Sequence, residues 1–254
     1  MHDNFKFSII VPARNEEFYI ANCLKSLNKQ DFKGKYEIIV VDNDSHDNTA
    51  DIAKKYGATV LRETRKGISN ALISGCKFAA GDIIVFTDAD THVPENWLTE
   101  YDKIFHSENV IAAGGIYEFY DDRFLARVLF NKILKPLSTW FLENIVHSKT
   151  HVLPCANMAV RRDIYEKAGG FSSSVEWGQE LDLVRRLENY GEIFFDKNLL
   201  VSTSFRRYDK LHENGVVAFF AAINELFISI ARLLIMLFTK KTFSAQKEIR
   251  RIDK

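Results

Sequence analysis

Cysteine is scarce in this chain: 254 residues contain three, at positions 23, 76 and 155. Odd in number, widely spaced and outside any C-x-x-C pair, they argue against a disulfide framework and a structural zinc site, and they fit a reducing compartment. A surplus of charge is also missing, since 34 basic residues face 34 acidic ones. Without a basic excess there is no electrostatic footprint for nucleic acid. No secretory signal is legible either, because strand-like FSIIV begins at Phe7 with no basic stretch and long apolar run before it. The expectation is a cytoplasmic protein. Repeats and low-complexity stretches are lacking too. What is present is 46% hydrophobic, enough to bury a sizeable core in one large domain or in one domain with an appendage.

The first hundred residues alternate apolar runs with helical patterns. FSIIV (7–11), YEIIVVD (36–42), ATVLRE (58–63) and DIIVF (82–86) read as strands, and such apolar runs are expected where both faces of a sheet are covered. Residues 16–28, 48–56 and 68–80 read as helices, with Gly57 and Gly81 as stops and Asp47 or Ser45 as an N-cap. These are βαβ units, so the fold class is α/β, with a single Rossmann-like, mostly parallel sheet flanked by helices. Further on, VIAAGGIYEFY (110–120) reads as a strand and 122–146 as helix-rich and aromatic, interrupted at Pro136. ANMAVRRDIYEKAGGF (156–171) makes a strand-helix unit, and 176–191 makes a helix whose inner face carries Leu181, Leu183, Val184 and Leu187, stopped at Gly191.

Three polar clusters begin where apolar strands stop: PARNEE (12–17), DNDSHDN (42–48) and TDADTH (87–92). In open α/β sheets ligands bind beyond the carboxyl ends of the strands, so these clusters make a site. Asp88 and Asp90 lie two apart, and at an extended strand end alternate side chains point the same way. Two carboxylates so placed suit a hard divalent ion, Mg2+ or Mn2+, completed by phosphates and water; the competing reading is a plain turn. Asp42 either accepts hydrogen bonds from a base or ribose or, with its neighbours, caps the next helix. Pro12, Arg14, Asn15 and Glu16 either line a nucleotide pocket or simply start a helix.

Taken in order, IIVPARNEE, IIVVDNDSHDNT, RKGISNALISGCKFAAGDIIVFTDADT and GGFSSSVEWGQELDLVRRL resemble the inverting family 2 glycosyltransferases. These are nucleotide-diphospho-sugar transferases of the GT-A fold, and the resemblance covers roughly residues 6–205, about one such domain. It implies that Pro12, Ala13, Arg14, Asn15, Glu16, Asp42, Asp44 and the Asp88-Ala89 pair hold the nucleotide sugar. It further implies that Asp88 and Asp90 bind the metal on the diphosphate, and that a later acid is the catalytic base. Where the family usually carries Glu-Asp, this chain has Gln179-Glu180, which makes Glu180 the base, one methylene longer, with Asp182 in reserve. His92 stands where the dolichyl-phosphate mannose synthase branch can place a third metal contact. Lys66 and Asn70 lie in a loop that could reach the diphosphate, and Trp177 either stacks on an acceptor sugar or fills the core. Arg206, Arg207 and His212 either close over the diphosphate or face lipid headgroups.

The domain expectation is a transferase unit over 1–210, with a nucleotide-binding half to about residue 100 and an acceptor-binding half to 210, followed by 211–254. Within the last part, 215–238 is almost wholly apolar, and as a helix it would be about 36 Å long, enough to cross a bilayer. Glu225, Ser229 and Arg232 share one of its faces, and each charge at mid-bilayer would cost about 2.5–3.5 kcal/mol. A helix lying in the membrane plane or packed on the domain therefore competes with a spanning one. The basic tail after it favours an anionic cytoplasmic leaflet. The expected partners are a nucleoside diphosphate sugar donor and a sugar or lipid-linked acceptor, with peripheral membrane contact through 215–238. Runner-up readings are a polyprenyl-phosphate sugar synthase and a catalytically impaired membrane scaffold of the same fold. A sugar nucleotidyltransferase is disfavoured, since VPARNEE lacks the glycine-rich loop that class shows.

Overall fold

The computed structural model describes residues 5–120, 153–175, 178–204 and 206. Its centre is a seven-stranded sheet in the order β3-β2-β1-β4-β6-β5-β7. The strands are β1 (Phe7–Ala13), β2 (Tyr36–Asp42), β3 (Thr59–Arg62), β4 (Ile83–Phe86), β5 (Val110–Phe119), β6 (Met158–Arg161) and β7 (Glu192–Thr203). All neighbours pair parallel except β6, which runs antiparallel to both β4 and β5. The mostly parallel sheet expected from the apolar runs is therefore present, and β2 falls on the residues read for it.

Strict alternation distributes β1, β2 and β4 between two cores. Phe7, Ile9, Val11, Ile38, Val40, Ile83 and Val85 face one side of the sheet. There they meet α1 (Ile20–Leu27), α2 (Thr49–Lys55) and α4 (Trp97–Ile104) through Leu24, Ala53, Trp97 and Tyr101. Ile10, Ile39, Val41, Ile84 and Phe86 face the other side, against α3 (Ile68–Phe78), α5 (Arg162–Lys167) and α6 (Gln179–Leu187). Covering both faces is what lets these strands be apolar at most positions. On α6, the anticipated Leu181, Leu183, Val184 and Leu187 are all buried.

Several expectations shift. The first helix opens at Ile20 rather than 16, because Glu16 to Tyr19 make a turn closed by Tyr19 N–H on the Glu16 carbonyl at 2.9 Å. Asn48, and not Asp47 or Ser45, is the N-cap of α2; Asp47 instead accepts the Thr49 N–H at 3.0 Å from just outside the helix. Gly57, at φ 82°, follows the end of α2 as a stop should. Gly81 has another reason, since a Cβ there would lie 2.6 Å from the Ser8 nitrogen of β1. Two elements were not anticipated, α4 and β7. Strand β7 hides its pattern because its register against β5 jumps from Gly115–Asp196 to Ile116–Leu200, and the bulge that absorbs Lys197, Asn198 and Leu199 breaks the period of two. At that point a Cβ on Gly115 would lie 1.9 Å from the Leu199 carbonyl oxygen, so β5 needs a glycine there.

No helix among the described residues is long and apolar enough to cross a membrane. The helix-rich segment 122–146, the apolar run 215–238, the basic tail and the boundary at 210 lie outside the described residues.

Candidate active site

Because β1, β2, β4, β5 and β7 run the same way, their carboxyl ends share one edge of the sheet. Antiparallel β6 brings its entry to that edge instead, through the 3-10 turn Cys155–Asn157. The sheet reverses its winding at β1, which lies between β2 and β4, and this is where α/β sheets open a crevice. A cleft of about 660 Å³ opens there, lined by residues of the turn after β1, the turn after β4, the 155–157 turn, the ends of β5 and β7, and the first turn of α6. Of the sequence-predicted residues, Pro12, Ala13, Arg14, Asn15, Glu16, Asp88, Ala89, Asp90 and Glu180 all line it.

The β1 turn is preformed by the loop after β2. Asn15 donates its N–H to Ser45 Oγ at 2.9 Å and accepts the His46 N–H at 2.9 Å through Oδ1. Glu16 and Glu17 donate their backbone N–H groups to Thr49 Oγ1 and Asp47 Oδ2 at 2.7 and 3.1 Å. Asn15 sits at φ 54°, a left-handed conformation that asparagine tolerates better than most residues. The two strand-end loops thus hold each other rigid.

Asp88 and Asp90 lie two and four residues beyond the end of β4, on a turn closed by the Thr91 N–H on the Asp88 carbonyl at 3.0 Å. Their convergence therefore comes from the turn, not from strand alternation. Asp90 accepts hydrogen bonds from Thr203 Oγ1 at 3.2 Å on Oδ1 and from Arg206 Nε at 2.8 Å on Oδ2. Arg206 also donates through Nη2 to both Glu16 carboxylate oxygens, each at 2.5 Å. Burial opposes its charge, but the bonds to Glu16 and Asp90 outweigh that and raise its pKa above the ordinary guanidinium value. A protein cation thus already bridges two cleft carboxylates, so the donor set suits a positive charge in oxygen coordination. Among the described residues, no group of three or more His, Cys, Asp or Glu side chains forms a ready-made metal cage. Two carboxylates completed by substrate phosphates is the arrangement that hard divalent ions such as magnesium use.

Glu180 occupies the first turn of α6, where the helix dipole favours an anion. Below it Cys155 lines the cleft; burial pushes its thiol pKa well up, reinforced by Glu180 and Asp88. That thiol stays protonated, which removes it as a nucleophile. Cys23 and Cys76 are also buried and free, so none of the three cysteines is paired.

The other predicted residues stand outside the lining. Asp42 is 7% exposed and accepts the Ser45 N–H at 3.2 Å, closing its own loop. Asp44 faces Arg62 at 3.5 Å. Exposed Lys66 gives its carbonyl to Asn70 Nδ2 at 3.0 Å, and these residues flank the cleft without lining it. His92 stacks on Tyr120 with ring centroids 4.6 Å apart, and burial lowers its pKa against the pull of Asp90. Asp182 pairs with Arg186 at 2.7 Å, on the side of α6 toward Ala168. Trp177, Arg207 and His212 lie outside the described residues.

Sequence reasoning passed over Asn43, which lines the cleft between the two aspartates it singled out. Its amide donates to the Glu63 and Arg65 carbonyls at 2.9 and 2.8 Å, and its oxygen accepts the Gly67 N–H at 3.0 Å. It thereby presents Gly67 and Ile68 to the cleft. Buried Asn157 was also missed. Its Oδ1 accepts Trp97 Nε1 and Tyr101 Oη at 2.8 and 2.9 Å, and its Nδ2 donates to the Ile116 and Leu199 carbonyls at 3.0 and 2.8 Å, tying the cleft floor to β5 and β7.

Similar sequences and similar solved structures are known. The sequence model described as Glycosyl transferase family 2 matches residues 8–169. Glycosyltransferase AglE of Haloferax volcanii is 28% identical over 192 residues, 72% of this chain and 62% of its own length. Dolichol-phosphate mannosyltransferase of Pyrococcus furiosus is 37% identical over 124 residues, 44% of this chain and 33% of its own. The chain thus spans less than two thirds of either curated relative. Among solved structures, the mannosyltransferase PcManGT from Pyrobaculum calidifontis, in complex with GDP-Man and Mn2+, superposes with a TM-score of 0.64 at 22% identity. That likeness covers 92% of this chain and 70% of the other, and it shows the GT-A fold.

Proposed function

Because the chain belongs to glycosyl transferase family 2, we propose that it moves a sugar, with inversion, from a nucleoside diphosphate sugar to a hydroxyl acceptor. The observation that carries this reading is the meeting of Asp88, Asp90 and Glu180 in one cleft with the preformed turn after β1. A magnesium or manganese ion on the Asp88 and Asp90 carboxylates would supply Lewis-acid neutralisation of the leaving diphosphate. The turn Pro12 to Glu16, with Asn43 and Gly67 opposite, orients the nucleotide against rigid backbone. Glu180, across the cleft, accepts the proton of the attacking hydroxyl. Its extra methylene, relative to an aspartate, sets the acceptor correspondingly further from the helix.

Glu180→Gln should reduce transfer by at least about 100-fold while nucleotide sugar binding stays close to wild type. Unchanged turnover would show that Glu180 is not the base. A polyprenyl phosphate acceptor is the second reading, favoured by the 37% identity to a dolichol-phosphate mannosyltransferase. Supplying polyprenyl phosphate and a free sugar acceptor in parallel separates the two. Slow donor hydrolysis with manganese separates either from a catalytically impaired scaffold. The three buried free thiols support a reducing, cytoplasmic location.

A further inference from the structure

Of the residues lining the cleft, Arg14 and Arg206 are the basic ones, against Glu16, Asp88, Asp90 and Glu180. Arg14 is exposed, whereas Arg206 is turned into the acidic group and held there from three sides. Its Nε binds Asp90 at 2.8 Å, its Nη2 binds Glu16 at 2.5 Å, and its guanidinium carbon lies 4.2 Å from the centre of the Tyr19 ring. Resting on the assignment of Asp88 and Asp90 as metal ligands, we infer that Arg206 is a tethered counter-cation that must release Asp90 before a divalent ion is bound.

Shared lone pairs and like charges set Arg206 against a metal ion at Asp90. Asp90 Oδ1 accepts from Thr203, and Oδ2, the oxygen turned to Arg206, is the one a metal would share with it. A dication on that oxygen and a guanidinium in hydrogen-bond contact with it repel each other at close range. Release is feasible because only the Nε bond has to break. The double contact to Glu16 and the stacking on Tyr19 keep the side chain at the cleft wall, so the exchange is a pivot and not an expulsion. In its closed position Arg206 neutralises acids that would otherwise repel one another. The cleft therefore disfavours a bare ion and opens for one that brings enough binding energy to displace the arginine.

The test is Mn2+ binding to the full chain without donor, followed by electron paramagnetic resonance. Arg206→Gln should bind Mn2+ about tenfold more tightly than wild type, the strength of one lost charge-assisted hydrogen bond. Asp88→Asn should weaken binding in either background. Unchanged or weaker binding by Arg206→Gln, with Asp88→Asn still weakening it, overturns the counter-cation and leaves the metal site standing. No effect of Asp88→Asn in either background overturns both. Wild-type protein labelled at arginine nitrogen gives a second reading that does not depend on the variant folding. Titrating Mg2+ should shift the Arg206 Nε–H resonance out of its hydrogen-bonded position, and a resonance unmoved at saturating Mg2+ overturns the proposal.

Discussion

Glu180 and Asp182 sit two apart on one helix and differ in everything else. On a 3.6-residue helix a step of two turns the side chain by about 200°, so when Glu180 faces the cleft Asp182 cannot. Asp182 instead makes an i, i+4 pair with Arg186, which also donates to the Ala168 carbonyl and so ties α6 to the end of α5. That geometry sorts two acids which sequence left as first choice and reserve. Asp182→Asn should keep sugar transfer within about twofold of wild type and cost up to about 1 kcal/mol of stability, as expected for a partly exposed pair. Chemical denaturation and a transfer assay on the same preparation check both. A collapse of transfer without loss of stability would return Asp182 to the catalytic machinery. The contrast with Asp42 is instructive, since that carboxylate also looked like a ligand but folds back on Ser45, and its neighbour Asn43 reaches the cleft. Which of three adjacent polar residues points outward depends on a loop conformation that composition does not encode.

At the scale of elements, legibility followed the reach of the forces involved. Strands β1, β2 and β4 were readable because burial on both faces makes most positions apolar, a pattern contained within each segment. Strand β7 was not, because its bulge is imposed by β5. The carboxylates Asp88 and Asp90 were readable as a pair, but the partner that grips Asp90 lies 116 residues away at Arg206, and the floor comes from the entry to an antiparallel strand. The loop between β3 and α3 shows the same dependence. Buried Glu63 accepts from Arg65 Nη2 at 2.7 Å and from Ser74 Oγ, so the carboxylate fastens the loop to α3 while Asn43 holds its backbone. Hydrogen bonds from Arg65 and then Ser74 pull the Glu63 pKa down to about 2, against the opposing effect of burial. A depressed folded pKa contributes stability that is complete above the unfolded value of about 4.3 and is lost as pH falls through the folded one. Glu63→Gln should therefore be less stable than wild type at neutral pH, and the two stability curves should converge between about pH 4.3 and pH 2. Parallel curves across that interval would mean that Glu63 is not held as its contacts indicate.

The whole molecule enters through the distribution of the site along the chain. Cleft residues run from Pro12 to Arg206 and come from both sides of the sheet's switch in winding, so no short segment carries a binding-competent fragment. The unfolded chain should then have no appreciable affinity for a nucleotide sugar, and any ligand that binds will stabilise the fold by mass action. A donor present at about a hundred times its Kd contributes about 2.7 kcal/mol, which for a chain of this size raises Tm by roughly 5–10 °C. If Asp88 and Asp90 supply the ion that holds the diphosphate, most of that rise should require manganese or magnesium. A panel of UDP, GDP, CDP and dTDP sugars, each with and without manganese, should show one base giving the rise and the others little. Asp88→Asn should keep the unliganded Tm within a few degrees and lose the metal-dependent increment. The same panel reports on the nucleotide and the ion separately, because a base-specific rise indifferent to manganese would place the nucleotide in the cleft and remove the metal from Asp88. A flat panel across all donors and both metal conditions would contradict the nucleotide-sugar reading itself.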